Sequence, residues 1–252
     1  MDAEKTTEQP LPSFSQRTKT RFPSKEMWKA IRWPLAFVII LWVIELIFEL
    51  LDVRFIDLGN QPRSLYGITG IFTSPLIHAN ADHLLSNTLP LIVVGSAIFH
   101  FYNEISLRVI ALIWFLTGFW VWLIGRPEFH IGASGLIYGS VVFLFFSGVF
   151  RKDVRLMAIS MLVVFLYGSL AWGILPIDPT QSWESHLSGS VAGLFVAIYY
   201  RKEKPFRIKY QWEIDEEMDA LNAMNDQSAS SPIEIIYHLV DDQKENQENK
   251  GS

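Results

Sequence analysis

The sequence predicts an all-α, polytopic membrane protein, a bundle of six membrane-spanning helices between polar tails. Two distributions carry this prediction. Charge is nearly absent from long stretches: residues 105–150 hold only Arg108, Arg126 and Glu128, and residues 155–200 only Arg155, Asp178 and Glu184. Lys and Arg then alternate between rich and poor from one connection to the next. Within 252 residues at a formal charge of −5, no basic excess points to nucleic acid. Zero cysteines exclude disulfide scaffolds, thiolate metal sites and thiol catalysis. A soluble globular enzyme is excluded by the apolar runs.

About 20 apolar residues cross the hydrocarbon core as a helix. Six segments qualify, at about 34–51, 82–101, 106–124, 131–150, 155–174 and 184–201. Residues 1–33 are a polar tail with no apolar region of the kind a cleaved leader needs. The loop 52–81 joins the first two spans. It mixes Pro62, Gly67, Gly70 and Pro75 with Leu65, Ile68, Ile71 and Phe72, so it is expected to lie in the membrane interface. Residues 202–252 form an acidic tail, with a short amphipathic helix expected at 211–224 and disorder at 241–252. Alternate connections sum to sixteen Lys/Arg against three, which predicts that both termini face the cytoplasm. Trp28 and Trp33 fit an inner aromatic belt; Trp120, Trp122, Trp172 and Trp183 fit an outer one.

Ionisable groups inside spans are costly and point to function. Here they gather at one depth. His78, His83 and Asn87 fall at the outer entrance of the second span, His130 and Ser134 at that of the fourth, and His186 at that of the sixth. The fourth span opens with Gly132-Ala133-Ser134-Gly135, and Gly132, Gly135 and Gly139 are read as one stripe. His186, Gly189 and Gly193 repeat the three–four spacing in the sixth. Small residues so spaced let membrane helices approach closely. Packing the two stripes together brings Ser134 within reach of His186, a hydroxyl beside a base. His83 and Asn87, four apart, share one helix face. With the Ser134 amide they can donate to an oxyanion. Tyr138 lies one turn from Ser134, where its ring can pack on the imidazole of His186.

Other polar groups read as structural. Glu45 and Glu49 share a face and suit anchoring of the long outer loop. Glu184 suits a loop carboxylate better than a third triad member. His130 suits a hydrogen bond to a loop or turn.

Taken together, His78…His83…Asn87, His130-Ile-Gly-Ala-Ser134-Gly-Leu-Ile-Tyr138-Gly and Trp183-Glu-Ser-His186-Leu-Ser-Gly189-Ser-Val-Ala-Gly193 resemble the rhomboid family of intramembrane serine proteases over roughly residues 35–201. The resemblance implies a compact six-helix bundle at 34–201, with Ser134 as nucleophile and His186 as general base in a dyad without an acid. It implies an oxyanion site of His83, Asn87 and the Ser134 amide, with His78 bracing the outer loop. It further implies transmembrane protein substrates entering laterally past the fifth helix, and a bacterial cytoplasmic membrane. No cofactor or metal is expected. The first outer loop departs from the family: it has Pro62-Arg63-Ser64 where members often carry a Trp-Arg pair.

Two other function classes are distinguishable. A rhomboid-like pseudoprotease, binding membrane proteins without cutting them, typically lacks the Ser or the His, and both are present. A small transporter would spread its polar residues through the membrane depth rather than gather them at one side. An intramembrane zinc protease is disfavoured because no His-Glu-x-x-His occurs.

Overall fold

A computed structural model describes residues 24–166, 172–178, 181–203, 205, 215–216 and 218–224. The chain divides into two units, Met1–Phe206 and Arg207–Ser252. In the second unit, residues 215–216 and 218–224 are helical and expose Met218, Leu221 and Met224, within the helix expected at 211–224. The expectation of disorder at 241–252 lies outside the described residues, as do residues 1–23 of the first tail.

The first unit is helical throughout its described length. Its helices are α1 (Ser24–Leu51), α2 (Gly67–Thr73), α3 (Ala81–Phe101), α4 (Ser106–Ile124), α5 (Ser134–Arg151), α6 (Val154–Leu166) and α7 (Trp183–Tyr199). Four of them, α1, α3, α4 and α5, are long and apolar enough to cross a membrane; α6 is a shorter apolar helix. The pattern of burial is that of a protein whose solvent is lipid. Ile39, Ile40, Leu46 and Ile47 of α1 and Val191 and Phe195 of α7 face outward, while Ser140 and Ser147 of α5 and Ser188 of α7 are buried. With apolar chains outside, helices associate through close packing and polar contacts rather than hydrophobic exclusion.

α1 starts ten residues before the expected span and runs through Pro34. Proline inside a helix gives up one backbone hydrogen bond, but Pro34 also supplies a flat surface. On α3, a Cβ at Gly95 would lie 2.9 Å from Pro34 Cγ, so that glycine is the socket for the ring. Ala30, Val38, Leu41, Glu45 and Phe48 continue the same buried stripe at spacings of three and four. Trp42 extends the α1–α3 contact by donating from Nε1 to Thr88 Oγ1 at 3.0 Å.

The outer loop is a built structure. Arg54 pairs with Glu45 at 2.7 Å and also with Glu49, tying the loop to the end of α1 and raising the Arg54 pKa. Asn60 Nδ2 donates to the Gly118 carbonyl at 2.7 Å, and the Asn60 and His130 backbones pair reciprocally at 2.9 Å. Gly70 of α2 comes so close to this turn that a Cβ there would lie 2.2 Å from the Gly59 carbonyl oxygen. Leu65, Tyr66, Ile68 and Phe72 remain exposed, an apolar face suited to lipid. The Pro62-Arg63-Ser64 segment is tied to Trp122 at the end of α4. The Arg63 amide donates to the Trp122 carbonyl at 2.9 Å, and Trp122 Nε1 donates to the Ser64 carbonyl at 2.9 Å.

α5 is the most enclosed element and packs on α7, α6, α3 and α4. Its seam with α7 is set by glycines. A Cβ at Gly189 would lie 2.0 Å from the Gly135 carbonyl oxygen, and one at Gly193 2.0 Å from that of Gly139. No side chain fits there, so the two backbones touch directly. The expected spans differ in one respect that matters. α5 begins at Ser134, not 131, because Gly132 adopts φ +102° and breaks the helix before it starts. Gly132 is therefore not part of the helical stripe of Gly135 and Gly139.

Candidate active site

Ser134 is the first residue of α5, and Ala133 and Gly132 ahead of it are held from two sides. The Gly132 amide donates to the Ser74 carbonyl at 2.9 Å, and the Ala133 amide donates to His78 Nε2 at 3.4 Å. His78 is fully enclosed in the loop before α3. Burial, helped by neighbouring His83, pushes its pKa down to about 3, so it stays neutral and can accept that bond. The left-handed backbone at Gly132 suits glycine. Space requires it as well: a Cβ there would lie 2.8 Å from His83 Cε1. The missing side chain lets the His83 imidazole lie against the turn that leads into Ser134.

The imidazole facing Ser134 comes from α7. His186 Nε2 and Ser134 Oγ are 2.8 Å apart. At the far side of the ring, Nδ1 lies 2.7 Å from the Gly173 carbonyl oxygen. A carbonyl only accepts, so Nδ1 carries the proton and Nε2 is left as the acceptor facing Ser134. A backbone carbonyl thus occupies the position that a carboxylate fills in a triad. The Tyr138 and His186 rings stack with centroids 4.2 Å apart and an interplanar angle of 11°, fixing the imidazole plane. Glu184 lies elsewhere: its buried carboxylate takes Arg126 in a two-pronged ion pair.

α3 contributes His83 and Asn87. Asn80 caps the helix, accepting from the His83 amide at 2.8 Å, which sets the angle at which His83 and Asn87 leave the helix. The His78 and His83 rings meet edge to face with centroids 5.1 Å apart. Asn87 is buried, and its Nδ2 has no hydrogen-bond partner among the described residues. Buried donors seldom go unused. This one borders a cavity of about 710 Å³ lined also by His83, Ser134, Tyr138 and His186. The cavity has both polar and apolar walls, among them His83, Asn87 and His186 and Ile56, Pro90 and Ile137. Ser134 Oγ, the imidazole and the free amide of Asn87 all border this one space, the combination that nucleophilic acyl transfer needs.

His130 spans the rim of the cavity. Its Nε2 donates to the Arg126 carbonyl at 3.1 Å, leaving Nδ1 to accept from the Ser182 hydroxyl at 2.6 Å. Burial pushes its pKa down and keeps it neutral. Its role is in the loop, as its sequence position suggested.

Residues 66–203, over half of the chain, match the family model described as Rhomboid domain. The chain belongs to the rhomboid family. Relatives include uncharacterized proteins of Mycobacterium tuberculosis (strain ATCC 25618 / H37Rv) and Mycobacterium bovis. Each is 37% identical over 194 residues, covering 71% of this chain and 81% of the relative. A further uncharacterized protein, from Mycobacterium leprae, is 33% identical over 193 residues, covering 69% of this chain and 75% of the relative. The rhomboid domain is an integral membrane helical bundle, and it contains every candidate site residue. All of them except Gly135, Gly189 and Gly193 border the cavity or the turn into α5; those three belong to the seam beneath it.

Three contributors escaped the sequence reading. Gly173 acts through its carbonyl, which any residue possesses, so nothing in its side chain marks it. Asn80 could have been found as an N-cap three residues before His83. Ser182 could have been found the same way, three residues before Ser185.

Proposed function

We propose that this rhomboid protein is an intramembrane serine endopeptidase, cutting peptide bonds in or near transmembrane segments of other membrane proteins. The observation that carries the reading is the 2.8 Å contact between Ser134 Oγ and His186 Nε2, with the opposite ring nitrogen held by the Gly173 carbonyl. In this mechanism His186 Nε2 takes the Ser134 proton as Oγ attacks the scissile carbonyl carbon. The oxyanion that forms receives hydrogen bonds from Asn87 Nδ2, from His83 and from the Ser134 amide at the start of α5, where the helix dipole adds positive potential. His186 then passes the proton to the leaving nitrogen, and the C–N bond breaks to leave an ester on Ser134. Water entering the cavity gives its proton to His186 and attacks the ester, and the proton returns to Ser134 Oγ as the acid departs. Stacking on Tyr138 holds the imidazole through these transfers.

The excess of sixteen Lys/Arg over three supports an orientation with both termini in the cytoplasm, which puts the cavity at the outer end of the bundle. The test is cleavage of a model transmembrane substrate by purified protein, with a fluorophosphonate as a second probe. Wild type is expected to cut the substrate and to be labelled on serine. Ser134→Ala is expected to do neither while keeping its helicity and melting temperature. Cleavage by Ser134→Ala at the wild-type rate overturns the assignment.

A further inference from the structure

The dyad is one of two parallel rungs between the same chain segments. Ser134 meets His186 at 2.8 Å, and four residues earlier in each segment His130 meets Ser182 at 2.6 Å; both contacts bridge the same separation, 52 residues. Just beyond the second rung, Arg126 grips the Glu184 carboxylate through Nε and Nη2, and Nη2 also reaches the Gln181 carbonyl at 3.3 Å. Contacts from the loop after α4 therefore fall on residues 181, 182 and 184, around the start of the helix that carries His186. We propose that this loop is a clamp that sets the axial register of α7 against α5, making Arg126 and Ser182 positioning residues for the dyad. The inference rests on the protease reading given above.

The reason lies in the seam. Glycine-to-glycine contacts fix how near α5 and α7 come, because a Cβ at Gly189 or Gly193 would reach 2.0 Å from a carbonyl oxygen of α5. These contacts act across the seam, between one backbone and the other. Directional polar contacts, which fix a position along the axis, gather at the helix start. Ser182 is the N-cap of α7, accepting from the Ser185 amide at 3.3 Å, with the two hydroxyls 2.7 Å apart. Glu184 is only 4% exposed in its side chain, so its charge needs Arg126. The loop itself does not drift: the His130 backbone is paired to Asn60, and its far end runs through Gly132, held by the Ser74 carbonyl, into Ser134.

The clamp is tested on the full chain in detergent. The rate of fluorophosphonate labelling of Ser134 is measured well below each melting temperature, together with kcat and KM on a model transmembrane substrate. Arg126→Gln is expected to slow labelling about 10- to 100-fold, the scale of a displacement near 1 Å at the reacting atoms. It is expected to lower kcat equally and leave KM within about twofold, because peptide binding does not depend on the proton transfer. Arg126→Lys recovers part of the loss. Ser182→Ala has a smaller effect in the same direction. Because Arg126→Gln leaves a buried carboxylate unpaired, at a cost in stability, Arg126→Met combined with Glu184→Leu removes the pair without an orphan charge. That double variant is expected to melt near wild type and still label slowly. Labelling at the wild-type rate in both the double variant and Ser182→Ala overturns the clamp alone. Wild-type protein that is not labelled, or labelling that persists in Ser134→Ala, overturns the protease reading and the clamp with it.

Discussion

The helices α5 and α6 follow one another in the chain, separated by a tight turn, and both are apolar; the bundle uses them in opposite ways. α5 buries Gly135, Leu136, Ile137, Tyr138, Gly139 and Ser140 in succession, so that it is enclosed on every side near its start. α6 buries Leu156, Ser160 and Val163 on one stripe and exposes Met161, Leu162, Phe165 and Leu166. α5 carries small residues, which let neighbouring backbones close around it, whereas α6 carries long side chains directed at lipid. The Ser134 hydroxyl is thus built on the most enclosed helix. α6 stands next to it and is buried on one stripe only. Rigidity is concentrated where sub-ångström geometry matters.

Breaking the seam gives the largest expected effect. Gly189→Val puts a branched side chain where even a Cβ would lie 2.0 Å from the Gly135 carbonyl oxygen, so the helices must separate. Overpacking of this kind typically costs about 1–3 kcal/mol, and the loss is read as a lower melting temperature in detergent. Turnover is expected to fall by about 10²-fold or more, since His186 moves with α7. A variant as stable and as active as wild type would mean that the α5–α7 contact does not hold the dyad.

The turn ahead of α5 comes next. Gly132→Ala combines a left-handed backbone with a Cβ 2.8 Å from the His83 ring. Strain of this type is on the order of 1–3 kcal/mol. Because the substitution pushes on His83 and on the residue before Ser134, kcat should drop by more than the stability loss alone would give at a temperature well below melting.

A smaller effect concerns pH. His78 is held neutral with a pKa pushed down to about 3, and His130 is also lowered. For a base whose folded pKa lies below its unfolded value near 6.5, stability is complete above 6.5. It is lost as pH falls below that value, because only the unfolded chain takes the proton. Each such group adds at most about 1.4 kcal/mol per pH unit in that window. The melting temperature is expected to fall from pH 7 to pH 5, and His78→Gln should make the fall shallower. A slope unchanged by that substitution would show that His78 is not held neutral by the fold.

Smallest of all is the α6 surface. Met161→Ala and Leu162→Ala face outward, and exposed substitutions usually stay within about 0.5 kcal/mol. A melting temperature within error of wild type sharpens the contrast with Gly189→Val. A large loss would show that α6 is packed as firmly as α5.

Much of this protein is legible without coordinates. The charge-poor runs mark the helices because hydrocarbon cannot solvate ions, and four of the six expected spans, α1, α3, α4 and α5, are long and apolar enough to cross a membrane. The four-residue spacing of Gly135 and Gly139, and of Gly189 and Gly193, marks the seam, because only glycine leaves room for touching backbones. Ser134, His186, His83 and Asn87 stand out because reactive side chains are rare in spans and these share one depth. What tertiary structure alone decided are contacts made by the backbone and by residues far apart in the chain. The partner of His186 Nδ1 is the carbonyl of Gly173, and every residue has a carbonyl, so no side chain announces it. Gly132 looked like one more glycine of a helical stripe. Its left-handed φ puts it outside the helix and under the His83 ring, because a short spacing is compatible with a helix but does not require one. Arg126 and Glu184, 58 residues apart, become partners only when two helix ends meet, since local sequence pattern carries no information about which distant charge a buried carboxylate will face.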